Sequence, residues 1–179
     1  MTKYVAFLRA INVGGHTVQM DNLRRLFEAL RFTNVETFIA SGNVIFESKS
    51  GNIKSLEQKI EKHLRKSLGY EVRTFVRAVP ELAAVVNREA FSAKELNAPG
   101  HTLYIGFLAE KPENEATRRV LALSTATDDF AVHGSEVYWL CRTSFSESSV
   151  SGALLEKTLG LSATFRNVNT VRRLAAKYS

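Results

Sequence analysis

The chain has 179 residues, 45% of them hydrophobic, and a formal net charge of +6. That length and apolar share suit one ordinary domain or two small ones and exclude a disordered chain. A single cysteine, Cys141, excludes an internal disulfide framework and a cysteine-based metal site, and no run approaches the ~18 apolar residues of a membrane span.

Lys3 to Arg9 is short, apolar and β-rich, and reads as a strand entered directly from Met1, without an apolar leader. Asn12-Val13-Gly14-Gly15 is a turn signal. Met20, Leu23, Leu26, Phe27 and Leu30 recur at helical spacing, with Asp21 in the first turn, where the helix dipole favours an acid. Val35 to Ala40 and Val44 to Glu47 are strand runs around the hairpin signal Gly42-Asn43. Asn52 is placed to cap a helix with the stripe Ile53, Leu56, Ile60, Leu64 and Leu68, stopped by Gly69. Val72 to Arg77 reads as a fourth strand. The order is β-α-β-β-α-β, the ferredoxin-like arrangement.

Pro80 starts a short helix with Leu82, Val85 and Val86, and a loop over 91–100 follows. Leu103 to Leu108 then reads as a strand. Pro112 is expected to open a helix through Val120 and Leu123, where its missing N–H costs nothing. Phe130 to His133 and Val137 to Leu140 form a second hairpin, with Cys141 a small core residue at its end. Ser148 or Ser149 is expected to cap a helix ending at Leu159-Gly160. Ala163 to Arg166 closes the series, and a last helix after Asn169 carries Val171, Leu174 and Tyr178.

The two halves echo each other. Tyr4-Val5-Ala6-Phe7-Leu8 returns as Tyr104-Ile105-Gly106-Phe107-Leu108, and Lys66-Ser67-Leu68-Gly69 as Lys157-Thr158-Leu159-Gly160. Gly42 to Gly69 is 27 residues, against 26 for Gly134 to Gly160. Matches in order at matched spacing predict a duplicated α+β unit. The expected organisation is a first ferredoxin-like unit over 1–78, a helical linker over 79–101, and a second unit over 102–179 with an extra C-terminal helix. Tyr4 to Leu8, Leu103 to Leu108 and Val137 to Leu140 are apolar on both faces, whereas a half-solvated strand would alternate. Two sheets sharing one interior are therefore expected, in a monomer rather than an oligomer.

Topology predicts a site. The end of the first strand and the turn between the second and third meet at one edge of such a sheet. Gly14 and Gly15 leave backbone N–H groups open just before a helix, a recipe for holding an anion. Arg9, Asn12, Ser41 and Asn43 add side-chain donors around Gly42. The same residues are ordinary turn chemistry, and no Gly-x-x-x-x-Gly-Lys-Ser/Thr phosphate loop is present. Asn167, Asn169 and Thr170 are good cap residues, and Arg166 beside them has a fork that matches carboxylate or phosphate. His16, after the Gly-Gly turn, is the histidine placed to act as acid or base. His63 lies in a charged helix and is expected to be solvated. The four histidines lack metal-ligand spacing, and neither metal nor cofactor is expected.

Charge is uneven: residues 1–90 hold 14 Lys/Arg and 9 Asp/Glu, and the last sixteen hold Arg166, Arg172, Arg173 and Lys177 with no acid. This favours anionic partners. The leading expectation is a cytoplasmic protein that binds, or binds and acts on, a small anionic molecule. A nucleic-acid-binding module and an interaction protein without small ligand are the alternatives. RNA-recognition modules share the strand order but stack bases on aromatics of the first and third strands. The third strand here, Asn43-Val44-Ile45-Phe46-Glu47, lacks that motif.

Leu8 to Gly15, then Met20 and Leu23-Arg24, then Val35 to Phe46, resemble the N-terminal signature of domain-of-unknown-function family 1697. Thr164 to Val171 resembles its C-terminal motif. That family places Trp between the two Asn residues where this chain has Val168, so the resemblance carries no stacking role to that position. It implies two ferredoxin-like units and no activity. It adds weight to Asn12, Gly14, Gly15, Ser41, Gly42, Asn43, Arg166 and Asn167 as site residues.

Overall fold

The computed structural model describes residues 1–12, 14–39 and 42–179, with Phe145 described by its backbone alone. The elements run β1 (Thr2–Leu8), α1 (Met20–Glu28), β2 (Thr33–Thr37), β3 (Asn43–Ser48), α2 (Ile53–Leu68), β4 (Thr74–Ala78) and α3 (Val79–Asn87). They continue with α4 (Ala93–Asn97), β5 (Thr102–Leu108), α5 (Asn114–Leu121), β6 (Asp128–His133), β7 (Glu136–Cys141), α6 (Gly152–Leu159), β8 (Ala163–Asn167) and α7 (Val168–Tyr178).

Two antiparallel sheets result, ordered β2-β3-β1-β4 and β6-β7-β5-β8. The registers of β3-β1-β4 and β7-β5-β8 match residue for residue, while β2 against β3 carries a shift between Thr33 and Glu36 that β6 against β7 lacks. Tyr4 stands opposite Phe46 and Ala78, and Tyr104 opposite Trp139 and Asn167. The fold is α+β, with a ferredoxin-like unit present twice. By contacts the chain divides into Met1–Leu82 with Lys177–Ser179, and Ala83–Ala176.

The registers extend the duplication one helix beyond what the sequence echoes. Ala78-Val79-Pro80 occupies the register of Asn167-Val168-Asn169, so α3 follows β4 as α7 follows β8. Val79, Leu82 and Val85 are buried, as are Val168, Val171 and Leu174 at the corresponding steps. The C-terminal helix is therefore a repeat of α3.

In the first unit, α1 buries Leu23 and Phe27, and α2 buries Leu56, Ile60 and Leu64, each at i, i+4 spacing. They join Tyr4, Ala6, Leu8 and Phe46 in one cluster. Each fully buried Leu, Ile or Phe contributes about 1.5–3 kcal/mol. In the second unit, Trp139, Phe130, Val120, Leu155 and Leu159 play that part. Gly106 stands at the register of Ala6 because a Cβ there would lie 2.6 Å from both Phe165 Cε1 and Val137 Cγ1. Residues 4–8 of β1 and 137–141 of β7 are buried whichever face they occupy.

The outer strands β4 and β8 are blocked by glutamates. Glu61 Oε1 accepts from Thr74 N at 3.0 Å, Glu57 Oε1 from Val76 N at 3.3 Å, and Glu156 Oε1 from Ala163 N at 2.9 Å. Helix side chains thus occupy N–H groups that an unpaired edge would offer to another chain.

Local expectations hold at Asn52, which caps α2 through Ser55 N, and at Gly69, which ends it at φ 85°. Others are corrected. Ser151, not Ser148 or Ser149, caps α6; Ser148 instead donates to Asp128. Pro112 lies outside α5, which starts at Asn114. Residues 93–97 of the expected loop form α4, capped by Ser92. β2 covers Thr33–Thr37 rather than starting at Val35, Ala40 lies outside the described residues, and Asn43, expected in the turn, opens β3 and donates its side chain to Phe38 O at 2.9 Å. His63 is not solvated at its tip: Nε2 is buried with no hydrogen-bond partner among the described residues.

Candidate functional site

The expected convergence at the end of β1 is present. Leu8 N donates to Gly42 O at 2.8 Å. Gly42 sits at φ 81°, and a Cβ there would lie 3.0 Å from Ile11 Cγ2 and 3.2 Å from Leu8 O. Left-handed backbone and close approach together require glycine. Asn12 Oδ1 accepts from Val18 N at 2.8 Å, closing the loop ahead of α1. Tyr70 OH donates to Ile11 O at 2.8 Å, and its ring stacks on His16 with centroids 3.9 Å apart.

The chemistry assigned to these residues is partly redirected. Asn12 and Asn43 spend the groups just described on shaping the loops, and Asn43 is buried. The space between the loops, among Ile11, Asn12, Val18, Gly42 and Asn43, measures about 10 Å³, room for no more than one water. His16 is committed to a ring stack. Gly14 (φ 65°) and Gly15 (φ 82°) lie on the surface, and a Cβ on Gly15 would meet nothing within 4 Å. Ser41 lies outside the described residues.

Space exists one step away. A hollow of about 290 Å³ is lined by Arg9, Ala10, Glu71 and Arg73. Arg9 N donates to Arg73 O at 2.9 Å, so the two arginines are held side by side where β1 ends and β4 begins. Glu71 Oε1 pairs with Arg73 Nε at 3.1 Å on the exposed surface. Sequence reasoning found Arg9 but missed Arg73, 64 positions further along.

The second unit shows what the fold itself requires here. Ala109 N donates to Ser162 O at 3.3 Å, the same bond at the same register, with no charged side chain. The connections at this end also differ. β1 to α1 takes eleven residues, 9–19, against five, 109–113; β2 to β3 takes five, 38–42, against two, 134–135. α2 to β4 takes five, 69–73, against three, 160–162. The first unit has extended three connections, all at the rim that carries Arg9 and Arg73.

Arg166 goes the other way. It is buried in β8, where Nη1 donates to Thr164 Oγ1 at 2.8 Å and to Phe165 O at 2.9 Å. Burial pushes its pKa down to about 10, so it stays charged at neutral pH. Arg77, at the same register of β4, is equally buried and donates Nη1 to Val76 O at 2.9 Å. An arginine required in both units belongs to the scaffold. Asn167 caps α7 by accepting from Asn169 N at 2.9 Å and lines a different cavity. The expected residues therefore do not form one site: Arg9, Asn12, Gly14, Gly15, Gly42 and Asn43 gather at one rim of the first unit, and Arg166 and Asn167 lie on β8.

Among the described residues no group of three His, Cys, Asp or Glu side chains is placed to hold a metal, and no helix is long and apolar enough to cross a membrane. No curated protein matches the sequence. The solved structure titled "The structure of conserved bacterial protein SP0830 from Streptococcus pneumoniae" is similar at a TM-score of 0.70 and 21% identity. The match covers 98% of this chain and 97% of that one, and at that identity it bears on the fold alone. The sequence matches the family described as "Protein of unknown function (DUF1697)" over residues 1–138. Most of the chain lies within that match, and the protein belongs to this family.

Proposed function

We propose that this protein binds a small anionic molecule at the end of β1, with Arg9 and Arg73 supplying the charge. The observation that carries this reading is the contrast between the two units. The same backbone bond is made by Arg9 and Arg73 in one and by Ala109 and Ser162 in the other. The fold needs no guanidinium at either position, yet two face one hollow at the rim where three connections are lengthened. Paired guanidinium forks match the oxygens of phosphate and carboxylate, and functional groups concentrate on loops held by a rigid scaffold. Gly14 and Gly15 lie exposed in the same connection between β1 and α1.

The nucleic-acid alternative has less support. Tyr4 and Phe7 on β1 and Phe46 on β3 are all buried, which leaves those strands no aromatic platform for bases.

The test is thermal denaturation with inorganic phosphate, AMP and citrate as probes. A probe at 100 times its dissociation constant adds about 2.7 kcal/mol, roughly 5–10 °C for a chain of this size. Arg9→Ala and Arg73→Ala should each remove that shift while the variant still unfolds cooperatively. A shift that survives both changes, or no shift with any probe, refutes the reading. So does tight RNA binding with a steep salt dependence and no small-anion binding.

A further inference from the structure

The second unit carries its own departure from the repeat, at the opposite end of its sheet. Where β8 runs into α7, a cavity of about 150 Å³ is lined by Asn97, His101, Asn167, Asn169 and Arg172, among others, and by no Asp or Glu. At the corresponding steps where β4 runs into α3 stand Ala78 for Asn167, Pro80 for Asn169 and Ala83 for Arg172. A strand can therefore run into this helix without any of these donors.

His101 is fixed in this wall. Its Nδ1 lies 2.7 Å from Glu95 O, and a carbonyl only accepts, so Nδ1 carries the hydrogen. In the neutral ring Nε2 is then an acceptor. The Glu95 carboxylate is itself held by Arg142 Nε at 3.1 Å, and Ser92 caps the short α4 to which Glu95 belongs. The lining also holds a cation: Arg172 Nη1 donates to Asn169 Oδ1 at 3.3 Å, one turn into α7.

We propose that this cavity is a second binding site, for a small oxyanion that also carries a hydroxyl. Arg172 and the carboxamides of Asn97 and Asn167 supply donors to the oxygens, and Nε2 of His101 accepts a hydrogen bond from the hydroxyl. A cavity of ~150 Å³ holds a molecule about the size of benzene, which fits a three-carbon hydroxycarboxylate or a phosphate. Both share the required chemistry.

The experiment uses the full chain with Arg9→Ala as reference, so that the rim of the first unit does not contribute. Lactate, inorganic phosphate and propionate are titrated by calorimetry. Propionate matches lactate without the hydroxyl. Lactate or phosphate should bind, and propionate at least tenfold more weakly. Arg172→Ala, at an exposed position, should abolish binding. His101→Asn, whose amide still reaches Glu95 O, should erase the preference for lactate over propionate. The proposal is overturned if neither hydroxylated anion binds, if propionate binds as well, or if binding survives Arg172→Ala. Binding to the unaltered chain that disappears in Arg9→Ala would assign these ligands to the first-unit rim and overturn it equally, whereas failure of phosphate, AMP and citrate at that rim leaves this cavity untouched.

Discussion

Asp128 Oδ1 accepts a hydrogen bond from Trp139 Nε1 at 2.7 Å, deep inside the second unit. The same oxygen accepts from Ser148 Oγ at 2.7 Å, and Oδ2 accepts from Thr127 Oγ1 at 2.8 Å. At the matching register the first unit sets Phe46, stacked on Phe32 at 4.4 Å. One unit fills the position with a ring pair, the other with a buried carboxylate that ties the segment after β7 to the sheet.

That carboxylate makes stability depend on acid. Burial pushes the Asp128 pKa up, but the bonds from Ser148, Trp139, Thr127 and Thr125 outweigh it and hold it below the ordinary value. A depressed folded pKa gives stability that is present above the unfolded value, about 3.9, and is lost as pH falls through the folded one. Asp128→Ala should cost about 2–4 kcal/mol at pH 7 in urea unfolding. Its deficit relative to wild type should shrink below about pH 4.

Glu57 should behave in the opposite sense. Burial pushes its pKa up, against the bond from Val76 and the nearby Lys54 and Arg77. The native state then holds a proton that the unfolded chain has released, so stability falls as pH rises from the unfolded value, near 4.5, through the raised folded one. Glu57→Gln keeps an acceptor for Val76 N and should flatten this slope, with stability at pH 7 unchanged or raised by about 1 kcal/mol. Glu57→Ala should cost about 1–3 kcal/mol. Unfolding midpoints between pH 5 and 8 check both.

Two glycines of the rim separate strain from contact. Gly15 (φ 82°) has open space at its Cβ position, whereas Gly42 (φ 81°) faces Ile11 and Leu8 at 3.0–3.2 Å. Gly15→Ala should cost about 1 kcal/mol, the left-handed penalty alone. Gly42→Ala should cost about 2–3 kcal/mol, the excess being displacement of the β1 end. Denaturant unfolding of the pair measures the difference.

The last three residues anchor to the first unit. Tyr178 OH donates to Glu36 Oε2 at 2.8 Å, its ring meets Phe38 edge-on at 6.1 Å, and Lys177 Nζ lies 5.6 Å from the Phe38 ring centroid. Tyr178→Phe should cost about 1 kcal/mol, and deletion of 177–179 about 2–3 kcal/mol, because a buried aromatic ring is lost as well. Calorimetric melting of the two variants tests the order.

What could be read directly from the residues was whatever depends on near neighbours. Short apolar β-rich runs and i, i+4 apolar patterns named the strands and helices, Asn52 and Gly69 marked the ends of α2, and the echo of residues 4–8 at 104–108 revealed two like units. These signals arise from backbone geometry and burial within a few residues, so a linear string contains them. Folding decided the direction in which polar groups are spent. Asn12 and Asn43 point like site residues in the string and instead knit loops; Arg166 is matched by Arg77 and belongs to the sheet. Arg73 beside Arg9, and Arg172 lining one cavity with His101, are neighbours only through strand register and the path of the chain. Strands as far apart in sequence as β1 and β4, or β5 and β8, find their register by burying whole faces together, and no turn between them fixes it.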